Sequence, residues 1–168
     1  MRVLIAYYSW TGHTEEVAAR IAKNFVGHDV SIHRITPVKK RGYKTWLLLS
    51  FFPGSRVSIL PLGVDLGDFD LLLLGCPKWT FSCPPFNEFV KTMGIVRGKK
   101  AAFFTTFGGF DVERYAESAV TRLARAGLDV RSRLMVSRKK VQSGEYAQLV
   151  DEFCNRLLAD ISPAARPH

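Results

Sequence analysis

Three residues with hydroxyl side chains surround a glycine near the start of the chain, directly after the apolar run Val3–Tyr8. The loop consists of Ser9, Trp10, Thr11, Gly12, His13 and Thr14. Glycine permits a tight turn, and hydroxyls together with the free N–H groups of a helix N-terminus can surround a phosphate. Hydroxyl side chains also serve as ordinary helix caps, which is the alternative interpretation. Because three hydroxyls surround the glycine, we favour a phosphate-binding loop to which His13 adds a donor.

Aromatic residues and glycines follow two later apolar runs. The first loop contains Pro77, Lys78, Trp79, Thr80 and Phe81, and the second contains Thr106, Phe107, Gly108, Gly109 and Phe110. Trp79 offers a π-face on which a flat ring system can stack, with core packing as the alternative. Both interpretations stay open for the three phenylalanines. The two glycines let backbone N–H groups approach a ligand or form a plain turn, and Lys78 attracts an anion or is simply solvated.

The chain lacks the patterns of several other sites. The nearest match to a triphosphate-binding loop, Gly94–Lys100, is one residue short and has no Ser or Thr at its end. The dinucleotide pattern GxGxxG follows none of the predicted strands. Cys76 and Cys83 have six residues between them and no histidine cluster nearby. We therefore predict no metal site, no reactive cysteine pair and no catalytic side chain.

The elements that must position these loops are visible in the hydropathy pattern. Continuously apolar runs at Val3–Tyr8, Phe69–Gly75 and Ala101–Thr106 are typical of strands buried on both faces. Asp29–Ile35 and Leu128–Val136 alternate apolar and polar residues, as strands at a sheet edge do. Helical stripes separate these runs, which predicts an α/β fold with a doubly wound, five-stranded parallel sheet in three layers. Ligands bind at the carboxyl ends of such strands, where the loops described above lie.

We predict a single domain over residues 1–161 and a disordered tail over residues 162–168. A basic, aromatic insertion at 37–66 replaces a regular crossover helix, although Tyr43–Phe52 has the composition of one short helix that Pro53 and Gly54 would end. No window approaches the roughly 18 apolar residues of a membrane span. With three cysteines and no disulfide pattern, we expect a cytoplasmic protein that is at most peripheral to a membrane.

The charge is strongly basic, with 24 Lys and Arg against 15 Asp and Glu. Residues 30–64 hold six basic residues and no acidic one. We do not expect nucleic-acid binding, because no recognised nucleic-acid module accompanies the charge. An acidic redox partner protein and an anionic membrane contacted through residues 37–56 both explain it, and so does general solvation.

Residues 3–22, VLIAYYSWTGHTEEVAARIA, resemble the strand, loop and helix of the flavodoxin family, whose [ST]-x-T-G-x-T loop binds the 5′-phosphate of FMN. The loop GCPKWTFSCPP is similar to the family's G-[TS]-P-x-[WY] loop, which contacts the isoalloxazine. FFTTFGGF is similar to the loop on the other side of that ring. The resemblance implies strand order 2-1-3-4-5, FMN as cofactor, and the residues of all three loops as its binding site. Short flavodoxins are acidic and lack the insertion, whereas this chain is basic.

Three functions are consistent with this resemblance. The first is a flavoprotein that carries electrons between a reductase and an acceptor protein. The second is an FMN-dependent oxidoreductase that reduces a quinone-like acceptor or acts in the manner of a protoporphyrinogen oxidase, with the insertion as part of the substrate pocket. The third is a flavin-free binding or regulatory module on the same fold.

Overall fold

The computed structural model describes residues 1–161, and the predicted disordered tail at 162–168 lies outside them. The strands are β1 Arg2–Tyr7, β2 Asp29–Arg34, β3 Leu71–Lys78, β4 Lys100–Phe107 and β5 Asp129–Ser137. The helices are α1 His13–Asn24, α2 Tyr43–Ser50, α3 Pro84–Thr92, α4 Val112–Arg125, α5 Arg138–Ser143 and α6 Tyr146–Ile161. No helix in this part of the chain is long and apolar enough to cross a membrane.

All five strands are parallel and lie in the order β2-β1-β3-β4-β5, which confirms the predicted fold class and strand order. The register brings Tyr7 of β1 beside Gly75 of β3, and Gly75 beside Phe104 of β4. A Cβ at Gly75 would overlap the Phe104 ring, so only glycine fits there. The carboxyl ends of β1, β3 and β4 therefore meet at one edge of the sheet.

Helices cover the sheet on both faces, which explains why the central strands are continuously apolar. One core layer lies under α1 and α6 and includes Ile5, Phe104 and Phe153. The other lies under α3 and α4 and includes Leu4 and Phe103. Full burial of such side chains contributes about 1.5–3 kcal/mol each. The outer strands β2 and β5 alternate in burial along most of their length, as their sequences indicate.

Two helices differ from the sequence-based expectation. Helix α2 ends at Ser50 rather than Phe52, and a turn leads from there to Pro53. Helix α5 was not predicted; it begins where the side chain of Ser137 accepts a hydrogen bond from the Lys140 N–H. A helix of six residues contains too few turns to show a periodic apolar stripe, so hydropathy alone does not reveal it.

The connection from β2 to β3 is held in place by hydrogen bonds. The Ser50 carbonyl accepts from the N–H groups of Phe81 and Ser82, at 2.9 and 3.1 Å. The Asn87 side chain donates to the carbonyls of Pro53 and Ser55, at 3.2 and 2.8 Å. These bonds attach the end of α2 to the β3–α3 loop and to α3.

Candidate functional site

A cleft opens at the carboxyl edge of the sheet, where the loops after β1, β3 and β4 meet. Its volume is about 190 Å³. It is lined by Trp10, Thr11, His13, Tyr43, Leu47, Pro77, Lys78, Trp79, Thr106, Phe107, Gly108, Gly109 and Arg138. The three loops singled out in the sequence thus contribute to one cleft, as the parallel topology requires.

The β1–α1 loop turns at Gly12, whose φ of 92° lies in the left-handed region that glycine adopts without strain. Gly12 donates its N–H to Ser9 Oγ at 3.2 Å, and its carbonyl accepts from the Glu16 N–H at 2.9 Å. No side chain caps α1 at this position. The Ser9 hydroxyl therefore stabilises the turn, and the first N–H groups of α1 have no intrahelical acceptor. Uncapped N–H groups at a helix N-terminus form an anion site.

The remaining hydroxyls of this loop are arranged in pairs. Thr14 Oγ1 lies 2.7 Å from Thr106 Oγ1, and both side chains are buried. Such a pair has two hydroxyl hydrogens and uses one of them internally, so one remains for another acceptor. Thr11 Oγ1 lies 2.6 Å from His13 Nδ1 at the cleft surface. The Thr14–Thr106 pair ties α1 to β4 and so fixes the first loop against the third.

Aromatic side chains form one wall of the cleft. The Trp79 ring lies 5.6 Å from that of Trp46 at an interplanar angle of 32°, and its edge contacts Tyr8. Trp10 meets Trp46 at 6.4 Å. Trp79 therefore packs on the core and lines the cleft at once, which combines the two interpretations of this residue. Trp46 Nε1 is the one buried side-chain N or O atom without a hydrogen-bond partner among residues 1–161.

Three lining residues were not predicted as site residues. Tyr43 and Leu47 lie one helical turn apart on α2 and come from the insertion. Arg138 follows the last residue of β5, and its guanidinium fills the space where a Cβ of Gly108 would lie. Arg138 lies two residues beyond Val136, the predicted end of the last strand, and this proximity to a strand end is a signal that could have identified it. The orientation of α2 has no such signal, because it depends on contacts with distant residues.

Six predicted site residues lie outside the lining of the cleft. Ser9 and Gly12 belong to the β1–α1 turn and Thr14 to the first turn of α1, and none of the three lines the cleft. Thr80 Oγ1 accepts a hydrogen bond from Ser50 Oγ at 2.9 Å. Phe81 is 58% exposed, with its ring edge toward Phe51, and Phe110 is 90% exposed. A cofactor-binding role for these residues stays a prediction.

The cleft is positively charged. Its lining contains Lys78 and Arg138 and neither Asp nor Glu. Arg34 at the end of β2 donates from Nη2 to the Ser9 carbonyl at 2.8 Å and pairs through Nη1 with Glu15 at 2.9 Å. This arrangement holds the first loop from behind. Lining side chains of one sign favour an anionic ligand.

The cysteines near the cleft are buried thiols. Cys76 Sγ lies 3.3 Å from the Tyr115 hydroxyl. Burial raises the pKa of Cys83 and of Tyr115 well above their ordinary values. A protonated thiol is a poor nucleophile, so burial leaves Cys83 without activation for nucleophilic attack. Within residues 1–161, no group of three or more His, Cys, Asp or Glu side chains could hold a metal ion.

Comparisons with known proteins agree with this architecture. No protein-family model matches the chain. An uncharacterized protein of Archaeoglobus fulgidus is 30% identical over 139 residues, which span 81% of this chain and 86% of that protein.

Among solved structures, a flavoprotein from Lactobacillus acidophilus in complex with FMN superimposes with a TM-score of 0.66 at 20% identity. The match covers 84% of this chain and 97% of that one. A flavodoxin of Streptococcus pneumoniae gives 0.62 at 15% identity over 96% and 100% of the two chains. The chain therefore belongs to the same family as the Archaeoglobus protein, and its fold is flavodoxin-like.

Proposed function

We propose that the protein binds FMN in the cleft and transfers electrons between a reductase and an acceptor. One observation carries the proposal: three loops at the carboxyl edge of the sheet combine an uncapped helix N-terminus, a tryptophan wall and paired glycines in one cleft. The fold supports it, since a flavoprotein with this fold is known in complex with FMN.

The residues present fit the chemical parts of FMN. The N–H groups that follow Gly12, with the hydroxyls of Thr11 and of the Thr14–Thr106 pair, suit the phosphate. Trp79 and the paired glycines Gly108–Gly109 suit a flat ring, and open space lies where a Cβ of Gly109 would be.

Bound FMN would supply one- or two-electron transfer, which none of the amino-acid side chains provides. The chain's own residues have simpler tasks. Arg138 and Lys78 attract negative charge to the cleft, and the aromatic wall excludes water from one side of it. The Arg34 contacts keep the first loop fixed, so that little ordering is needed when a ligand binds.

A flavin titration tests this proposal. The purified chain is titrated with FMN and, as a matched ligand without phosphate, with riboflavin, and flavin fluorescence is followed. We expect saturable quenching with FMN and weaker binding of riboflavin, because only FMN engages the N-terminus of α1. Equal affinity for the two flavins would contradict the phosphate assignment. No uptake of either flavin would reject both redox functions in favour of a flavin-free module.

A quinone-type or protoporphyrinogen-type oxidoreductase is the second candidate function. Tyr43 and Leu47 favour it, because they add a wall from the β2–β3 connection beside the predicted flavin-binding loops. Steady-state oxidation of NAD(P)H with a soluble quinone separates the two candidates. Rapid turnover by the protein alone would exclude a pure carrier, and turnover only with an added reductase would exclude the self-sufficient enzyme.

We also propose the cytoplasm as the site of action. All three cysteines are free thiols buried in the protein, as is usual in a reducing compartment. Labelling of thiols in lysed and denatured cells, before and after reduction, measures their state. We expect full labelling without reductant. Labelling that depends on reductant would contradict the proposed location.

A further inference from the structure

The helix α2 and the turn after it form an exposed, basic and apolar surface. We call the four large side chains Leu48, Phe51, Phe52 and Phe81 the apolar edge. Their exposed fractions are 63%, 50%, 61% and 58%. The rings of Phe51 and Phe81 are in edge contact at 6.2 Å, so the two segments that carry them form one surface.

The side chains of helix α2 face three directions. Trp46 and Ser50, four residues apart, are buried. Tyr43 and Leu47, also four apart, line the cleft. Lys44, Leu48 and Phe51 follow the i, i+4, i+7 spacing of a third face, and that face is exposed. Leu48 and Phe51 of the apolar edge therefore lie on a separate face of α2, and neither the core nor the cleft uses that face.

Basic residues accompany this face without acidic neighbours in sequence. Lys39, Lys40, Arg41 and Lys44 are all exposed. Within residues 1–161 none of them takes part in an ion pair, whereas Arg34 and Arg133, for example, do. Residues 30–64 contain no Asp or Glu at all. No ion pair within residues 1–161 therefore neutralises the charge of these four basic side chains.

We propose that the apolar edge and the basic residues 39–44 dock the protein onto an anionic phospholipid bilayer. Phe and Leu beside Lys and Arg on a short amphipathic face are typical of segments that lie in the lipid interface, where the rings enter the acyl boundary and the cations meet phosphates. Lysine, in contrast, is depleted in protein–protein interfaces. The composition thus favours lipid over an acidic protein.

Docking in this orientation brings the α2 wall of the cleft close to the membrane surface. Tyr43 and Leu47 belong to the same two helical turns as Lys44 and Leu48. If the proposed flavin function holds, a lipid-soluble acceptor would reach the cleft along α2. The docking itself does not depend on FMN and is tested without it.

Co-sedimentation with vesicles is the test. The full chain is mixed with phosphatidylcholine vesicles, with or without phosphatidylserine, at low and high salt. We expect binding to the anionic vesicles that high salt weakens. The paired variant Phe51→Ser/Phe52→Ser is expected to lower the partition coefficient about tenfold, and Arg41→Glu/Lys44→Glu at least about 25-fold, at about fivefold for each cation.

Matched controls lie on other faces of the molecule. Val26→Ser removes an apolar side chain after α1 that is 86% exposed, and Arg156→Glu reverses an exposed charge on α6. Both should bind vesicles within about twofold of the unaltered chain, since a residue outside a contact surface contributes little. Near-UV circular dichroism confirms that every variant is folded.

Three results would overturn the proposal. The first is no sedimentation with anionic vesicles at low salt. The second is an equal loss in Arg156→Glu and Arg41→Glu/Lys44→Glu with no loss in the phenylalanine variant, which would indicate unspecific charge attraction. The third is capture on immobilised polyglutamate that the edge variants abolish, without vesicle binding, which would assign the surface to an acidic protein.

Discussion

The connection that leads into β2 and the connection that leads out of it both join parallel strands, but they differ in how their helices pack. Between β1 and β2, α1 has twelve residues and buries Val17 and Ile21 against the sheet. Between β2 and β3, α2 has eight residues, of which only Trp46 and Ser50 are buried. Both connections carry the chain between parallel strands. Only the first does so with a helix whose large apolar side chains, Val17 and Ile21, both have a place in the core.

The difference follows from apolar spacing. In α1 the apolar residues recur on one stripe, so sheet packing satisfies them and leaves a polar outer surface. In α2 the run Trp46–Leu49 is apolar in every direction, and one helix cannot bury all of it against one layer. The apolar side chains of α2 that the core does not bury line the cleft or face solvent. A regular crossover thus packs against the sheet, whereas the irregular one leaves apolar side chains in the lining of the cleft and at the surface.

The largest expected effect contrasts buried and exposed phenylalanines. Phe104→Ala removes a fully buried ring from the core under α1 and should lower the free energy of unfolding by about 3–5 kcal/mol. Phe52→Ala, after α2, should change it by less than about 0.5 kcal/mol. Urea unfolding followed by circular dichroism measures both. Similar losses of stability in the two variants would show that Phe52, like Phe104, is packed against the protein in solution.

Two glycines with positive φ provide a matched pair. Gly12 precedes α1 with φ 92°, and Gly63 lies in the β2–β3 connection with φ 72°; an added Cβ meets nothing within 4 Å at either. Each change to Ala should cost about 1–2 kcal/mol of stability through backbone strain. Only Gly12→Ala should also weaken FMN binding, by about tenfold, since a strained turn no longer presents the α1 N–H groups. Equal Kd values for FMN in both variants would show that the β1–α1 turn does not bind the cofactor.

Arg138 tests the cationic side of the cleft. Arg138→Gln removes the charge and keeps much of the side-chain length, so it should raise the Kd for FMN about fivefold and reduce its dependence on salt. Arg156→Gln, on the surface of α6, is the control and should leave the Kd unchanged. A loss of affinity in both variants would indicate a general field effect rather than a contact in the cleft.

The smallest effect concerns pH. The side chains of Arg20 and Asn24 on α1 hydrogen-bond to Asp151 on α6 and lower the pKa of that carboxyl. A folded-state pKa below the unfolded one contributes stability above the unfolded pKa, and this stability is lost as the pH falls through the folded pKa. The free energy of unfolding should therefore fall less steeply between about pH 5 and pH 2 in Asp151→Asn and in Arg20→Gln. Unchanged acid sensitivity in both variants would refute this contribution. Helix α2 contains no carboxylate and therefore adds no pH dependence of this kind to the stability.

Much of the fold could be predicted from the sequence, and the reasons are physical. A strand buried on both faces has to be continuously apolar, which located β1, β3 and β4 near their observed bounds. The apolar stripes of α1, α4 and α6 are long enough to show the helical period, and Gly127 stands two residues after α4 with φ 94°, the conformation in which glycine commonly terminates a helix. Helix α5 is too short for a period to appear.

The candidate site, like the fold, could be predicted from the sequence only in part. The types and spacing of Ser9, Thr11, Gly12 and Thr14 were visible in the sequence, and so was the position of three loops at strand ends, because parallel strands share one carboxyl edge. The tertiary structure alone decided that Tyr43 and Leu47 of α2 complete the cleft, while Phe81 and Phe110 lie outside it. Local sequence determines which residues form an element and where it ends. The direction in which a helix such as α2 turns its faces depends on hydrogen bonds and ring contacts with residues far away in the chain, such as those that hold Ser50 to Phe81 and Trp46 to Trp79.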